Sequence, residues 1–289
     1  MKFFALKENG KRQEYVEKDG KIYKPKESSL SLLMKVSAGE VPPLGEPVQM
    51  DFDGIVDMSA KGVTYDLPLQ PKEIWGSGIS YFVSRTRYSE SDAARIKGKT
   101  IYETVYDAER PEIFFKGTTS RCAPPGGYVA VRSDSKWTLP EPELAVVIDS
   151  KGKALGYTIF DDVSARDIEA ENPLYLPESK IYNGCCCFGP VVVTPNEIED
   201  PYGLEISMKI YRNNAIFFEG STSTKQMKTK IATQIKYLIR DNFVPDGTIL
   251  TTGTSIIPGK EQGLKDGDRV EITIEKLGTL ITGVIKNKN

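Results

Sequence analysis

The 289-residue sequence predicts an α+β, strand-rich protein with a small N-terminal domain ahead of a larger one. Three observations carry this. Short apolar segments bounded by Gly, Asn and Pro recur from about residue 112 to the C-terminus. One strongly amphipathic stretch, helical in period, interrupts them. The first seventy or so residues have a different texture, a hairpin and a short helix followed by an irregular stretch punctuated by proline.

In chain order, Glu14-Tyr15-Val16-Glu17 and Lys21-Ile22-Tyr23 flank Asp19-Gly20, a pair suited to a tight hairpin turn. A short helix follows over residues 30–35. Pro42-Pro43 and Asp66-Leu67-Pro68 break the next stretch, and the character changes at Ile74-Trp75-Gly76. The boundary is therefore placed near residue 71, dividing residues 1–70 from 71–289. Beyond it, strands are expected over 112–116, 128–131, 144–149, 191–194, 204–211, 215–219, 269–275 and 280–284, with turns at Asn213-Asn214 and Leu277-Gly278. A helix over 223–242 places Met227, Ile231, Ile235, Leu238 and Ile239 on one side as a core-covering face.

Composition narrows the chemistry. A hydrophobic content of 39% suffices for a large core, and 38 basic against 40 acidic residues, spread along the chain, leave no basic stripe for nucleic acid. The apolar run Phe3-Phe4-Ala5-Leu6 is too short for a signal-peptide core, and nothing approaches a membrane span, so a cytoplasmic protein is expected. Cys122 and Cys185-Cys186-Cys187 lack metal or redox spacing and read as buried small hydrophobes. The sequence contains no histidine. Imidazole-based triads and metal sites are excluded, and acid–base work falls to Asp, Glu, Lys, Tyr or Cys.

Two carboxylates, Glu141 and Glu143, stand two residues apart at the mouth of the apolar run Leu144-Ala145-Val146-Val147-Ile148. In an extended chain they share a face, and like charges that close repel unless a cation lies between them. Hard divalent ions such as Mg²⁺ favour such oxygen ligands; acids facing water at a strand end are the plainer alternative. Downstream, Gly156-Tyr157-Thr158 leads into the polar cluster Asp161-Asp162-Val163-Ser164-Ala165-Arg166-Asp167, where Arg166 is available to orient carboxylates.

These motifs, followed in order by Gly189-Pro190, Thr252-Gly253-Thr254, Gly263-Leu264-Lys265-Asp266-Gly267-Asp268 and Leu277-Gly278-Thr279, closely resemble the fumarylacetoacetate hydrolase superfamily over residues 72–285. The resemblance implies a mixed β-roll or sandwich for the catalytic domain and a variable N-terminal domain. It implies that Glu141, Glu143 and Asp162 hold Mg²⁺, with Mn²⁺ or Ca²⁺ as substitutes, and that the protein is a homo-oligomer, dimer or tetramer. Many carbon–carbon hydrolases of this superfamily carry Asn-Tyr-x-x-His-x-x-Glu to activate water. Here the stretch is Ser80-Tyr81-Phe82-Val83-Ser84-Arg85-Thr86-Arg87, with serine for histidine and arginine for glutamate. Ordinary acylpyruvate hydrolysis has lost its base.

Glu112, in Arg110-Pro111-Glu112-Ile113-Phe114-Phe115-Lys116, stands where the family usually has an apolar residue. A strand there aligns Glu112, Phe114 and Lys116 on one face, and aromatic burial would raise the carboxyl pKa. Lys180 falls where the family keeps a lysine near the metal-bound substrate. Ser84, Arg85, Arg87 and Tyr88 are candidates for substrate hydroxyls and carboxylate, and Thr254 matches a ligand-facing family threonine. Glu169, where some members have glutamine, favours a ligand rich in hydroxyl groups.

A 2-oxo acid chelated to such a metal has acidified C3 hydrogens, so a base can form an enolate from which a C4 hydroxyl leaves as water. With Glu112 and Lys180 as the proton-transfer pair, this points to a dehydratase of a 2-keto-3-deoxy sugar acid, and the resemblance implies 2,5-dioxopentanoate as the product, in pentose catabolism. Two alternatives stay open: a hydrolase or decarboxylase of acylpyruvates or oxaloacetate, and a non-catalytic 2-oxo acid binding protein.

Overall fold

The strand Pro142–Ile148, which follows the first carboxylate, is buried along its whole length because both of its faces are covered. In the computed structural model, which describes residues 1–83, 95–96 and 99–288, Leu144, Val146 and Ile148 enter one hydrophobic cluster and Ala145 and Val147 a second. Alternation of side chains along a strand divides them this way. It also explains why the segment reads as an unbroken apolar run rather than a half-polar one.

The strand lies inside a 12-stranded mixed sheet. Its main path runs Pro47–Val48, Lys21–Tyr23, Lys11–Lys18, Lys2–Glu8, Cys186–Val193, Ala154–Asp162, Pro142–Ile148, Thr248–Thr251, Ile74–Gly76 and Phe114–Gly117. Cys122–Ala123 and Tyr65–Asp66 attach beside it. The N-terminal strand joins this sheet directly, Lys2 opposite Val193 and Phe3 opposite Val192, so hydrogen bonding runs unbroken between the first residues and the rest. The Asp19-Gly20 hairpin forms as expected: Lys18 pairs with Lys21, and φ values of 52° and 74° give the turn the twist of its flanking strands.

A five-stranded sheet, ordered Tyr128–Val131, Gly278–Lys286, Arg269–Ile274, Glu205–Arg212 and Ala215–Ser223, covers one face. Its residues Ile206, Met208, Ile210, Val270, Ile272 and Leu280 share a cluster with Leu144 and Val146. On the opposite face, the helix Ser29–Ser37 contributes Leu32 and Leu33 to the cluster of Ala145, Val147, Phe160 and Phe188. Ser28 caps that helix, accepting from the Ser31 N–H. This is the strand-rich sheet-on-sheet arrangement that the sequence predicts.

Three local expectations shift. The helix expected over 223–242 is confined to Ile231–Leu238. The hydroxyl-rich run Ser221-Thr222-Ser223 stays extended and pairs with the neighbouring strand, Glu205 opposite Ser223. Beyond it, the N–H groups of Lys228 and Thr229 donate to Ser80 O, and Met227 is buried through a bridge to Tyr81 instead of on the helix face. Asp241, at φ 54°, closes the other end. The ladder expected from residue 112 starts at Phe114, leaving Glu112 just ahead of it. The turn expected at Leu277-Gly278 occupies residues 275–277, and Gly278 is already paired with Ile274. No helix among the described residues is long and apolar enough to cross a membrane.

Since Leu32 and Leu33 are fully buried on the sheet, Leu33→Ala is expected to lower unfolding free energy by about 2–5 kcal/mol in urea titrations. A loss under about 0.5 kcal/mol, the range of a surface change, would mean the helix does not cover the sheet.

Candidate active site

Two adjacent antiparallel strands bring the carboxylates together. Pro142–Ile148 and Ala154–Asp162 pair with Pro142 opposite Asp161 and Glu143 opposite Phe160. The start of one strand therefore lies beside the end of the other. Asp162 N–H donates to Glu141 O at 3.0 Å, and Glu141 N–H donates to Asp161 Oδ1 at 3.2 Å, tying the residue before the first strand to the last residues of the second. One carboxylate oxygen from each of Glu141, Glu143 and Asp162 lies within 4.8 Å of the others. All three residues are buried, none more than 5% exposed.

Three acids so placed need opposite charge. Lys180, at the end of the short helix Leu176–Lys180, donates through Nζ to Glu141 Oε2 at 2.7 Å, Asp162 Oδ2 at 2.8 Å and Ser164 Oγ at 2.6 Å. Lys116, fully buried on the strand Phe114–Gly117, reaches Asp162 Oδ1 at 2.5 Å and Val163 O at 3.0 Å. Burial opposes ionisation of Asp162, but these two ammonium groups outweigh it and hold its pKa below the ordinary value. Glu143 has no such neighbour. Burial, then the charges of Asp162 and Glu141, push its pKa well above the carboxylate range, and its Oε2 accepts from the Gly253 N–H at 2.6 Å. Two lysines thus leave one carboxylate of the three uncompensated. An all-oxygen donor set whose third carboxyl lacks a contacting cation fits a hard divalent ion such as Mg²⁺ or Mn²⁺.

The carboxylates open into a cleft that is also lined by Glu112, Phe114, Glu169, Lys180 and Thr254. The sequence candidates Glu112, Lys180, Glu169 and Thr254 are therefore gathered around Glu141, Glu143 and Asp162. Burial, followed by repulsion from Glu169, raises the Glu112 pKa to about 7. Arg166 lies in the same wall and forms an ion pair with Glu169, which it holds below its ordinary pKa against the effect of burial; Glu169, not a member of the triad, is its ion-pair partner. The helix Arg166–Glu171 is anchored by its neighbour Asp167, which accepts from Ser135 Oγ and Lys136 N–H at 2.7 Å each. Ser84, Arg85, Arg87 and Tyr88 lie outside the described residues.

Several residues at the site had little or no prior signal. Tyr102, on the helix Ile101–Asp107, enters the cleft beside Glu169. Lys116 was placed on the face of Glu112, but not as the partner of Asp162. A lysine inside the otherwise apolar run Ile113-Phe114-Phe115 was the clue, since a buried ammonium requires a counter-ion. Gly78 and Gly253 contribute by what they lack. A Cβ on Gly253, at φ 90°, would overlap Ser80 Oγ and approach Ser77 O to 3.0 Å.

A model of the fumarylacetoacetate (FAA) hydrolase C-terminal family matches residues 94–285. The chain is 56% identical over 291 residues to the 2-dehydro-3-deoxy-D-arabinonate dehydratase of Saccharolobus solfataricus, covering 100% of this chain and 97% of that one. It is 42% identical over 241 residues to the probable 2-keto-3-deoxyxylonate dehydratase of Haloferax volcanii, covering 83% and 80% of the two chains. A solved structure of 2-keto-3-deoxy-D-arabinonate dehydratase complexed with magnesium and 2,5-dioxopentanoate matches over the whole of both chains, with TM-score 0.92 and 54% identity. Sequence, fold and the order of the motifs agree: the chain belongs to the fumarylacetoacetate hydrolase superfamily.

Proposed function

We propose that this protein is a Mg²⁺-dependent dehydratase that converts 2-keto-3-deoxy-D-arabinonate to 2,5-dioxopentanoate and water. The observation that carries the reading is Glu112. Its carboxyl, raised to about 7, faces the same cleft as the three-carboxylate cluster in a chain that has no histidine. Full-length similarity to 2-keto-3-deoxy-D-arabinonate dehydratases supports the same substrate and product.

Glu141, Glu143 and Asp162 would hold the divalent ion, which supplies Lewis acidity to a 2-oxo group. Glu112 takes the C3 proton, a task that needs a carboxylate more basic than usual, and burial supplies that basicity. Lys180, held as an ammonium by Glu141 and Asp162, delivers a proton to the departing C4 hydroxyl. Loss of water leaves an unsaturated 5-hydroxy acid, and its tautomerisation gives the C5 aldehyde. Glu169 and Thr254 line the wall available to substrate hydroxyls, and Ser84, Arg85, Arg87 and Tyr88 are assigned to the remaining hydroxyl and carboxylate contacts. Homo-oligomeric assembly, as dimer or tetramer, belongs to the same reading.

Metal-free protein incubated with 2-keto-3-deoxy-D-arabinonate is expected to form aldehyde, detected through an aldehyde dehydrogenase, only when Mg²⁺ is added. Pyruvate released from acylpyruvates or oxaloacetate, with no aldehyde, would instead assign a hydrolase or decarboxylase. Glu112→Gln should lower kcat by about 10²–10⁴-fold while Mg²⁺ still raises the melting temperature. Turnover unaffected by this change would remove Glu112 from the chemistry. Because Glu112 must be ionised to accept a proton and its pKa is raised to about 7, kcat/KM should fall as pH drops below about 7. An acid limb near pH 4 would contradict its role as base.

A further inference from the structure

Charge and burial set the acidity of Glu112, but among the described residues no hydrogen bond anchors its carboxylate. Its position is set by shape. A Cβ built on Gly78 would be driven into Glu112 Oε2 and would stand 2.9 Å from the carboxyl carbon. The carboxylate thus rests on the bare α-carbon of Gly78. The Gly78 backbone lies outside the left-handed region, so an alanine there carries no conformational penalty of its own.

The turn carrying Gly78 cannot easily retreat. Ser77 N–H donates to Thr251 O at 3.1 Å, and Ser80 Oγ donates to Thr252 O at 2.5 Å. Ser80 O accepts from Lys228 N–H at 2.9 Å. Between these ties, Ile79 is held at φ 53°, a conformation that a β-branched residue adopts only when its surroundings impose it. Thr251 ends the strand that pairs with Pro142–Ile148 and Thr252 follows it, so the turn is fastened through that strand to the one bearing Glu143.

We infer that Gly78 is a positioning residue for the reaction: the space left by its missing side chain seats the Glu112 carboxylate, and the fastened turn holds that seat at a set place relative to the carboxylate cluster. This rests on the dehydratase reading above. It makes the glycine part of the catalytic arrangement through Glu112.

Gly78→Ala should fold, because the atom it displaces is the free end of a side chain. Its kcat should fall by about 10²-fold, the effect of moving a catalytic group by about 1 Å, with KM and the Mg²⁺-induced rise in melting temperature kept. In a Glu112→Asp background the shorter side chain vacates the contested space, and there the same alanine should cost less than about threefold. The role is overturned if G78A stays within about threefold of wild type, or if alanine costs the same in both backgrounds. It is also overturned if alanine abolishes folding in both. Wild-type protein that makes no 2,5-dioxopentanoate would sink the dehydratase reading and this role together, whereas active wild type with an indifferent G78A sinks this role alone.

Discussion

The structure around the cleft is organised by one electrostatic problem: Glu141, Glu143 and Asp162 are buried with oxygens from all three within 4.8 Å of one another. Each such charge strongly opposes removal from water unless it is paired. The solution is distributed over distant parts of the chain. A sheet lysine, a helix-terminal lysine and a backbone N–H each take one side of the cluster. The elements that carry them must be correctly docked before any of the acids is tolerable. The third carboxyl, left without a contacting cation, fits the cluster for a hard cation rather than an ordinary ion-pair network.

The sheet provides the rigidity this needs. Pro142–Ile148 and Ala154–Asp162 lie inside the large sheet, with the five-stranded sheet on one face and the Ser29–Ser37 helix on the other. Groups set on the ends of such strands move little, and tight metal ligation requires that. The rest of the cleft is built differently. Glu112 precedes its strand, Tyr102 and Glu169 sit on short helices, and Thr254 follows a glycine with positive φ. A fixed carboxylate cluster facing a wall of loops and short helices allows the wall to vary in chemistry while the centre is kept.

In the proposed reaction, the absence of histidine makes Glu112 the pivotal side chain. An ordinary glutamate is too weak a base near neutral pH, and here the same burial that threatens the acid cluster is put to use. It lifts one carboxyl to about 7, close to where an imidazole would titrate. Glu169 reinforces the shift, while its own charge is kept by Arg166. Two neighbouring acids are thereby driven in opposite directions, Glu112 upward chiefly by burial and Glu169 downward by Arg166.

Local chemistry in the sequence was sufficient for the strands, the Asp19-Gly20 and Asn213-Asn214 turns, the exclusion of imidazole chemistry, and the pairing of Glu141 with Glu143, because alternation, turn propensity and residue type act over a few residues. The ordered motifs also singled out Asp162 and Lys180. Only the tertiary structure decided where the long amphipathic stretch would be cut, since the Ser221-Thr222-Ser223 run had a sheet partner available at Glu205 to Ser207. It alone joined Lys116 to Asp162 and Gly78 to Glu112. Those contacts arise between segments far apart in the chain or on different elements, and their strength depends on exclusion of water, a property that exists only once the two sheets and their covering helix have closed over the site.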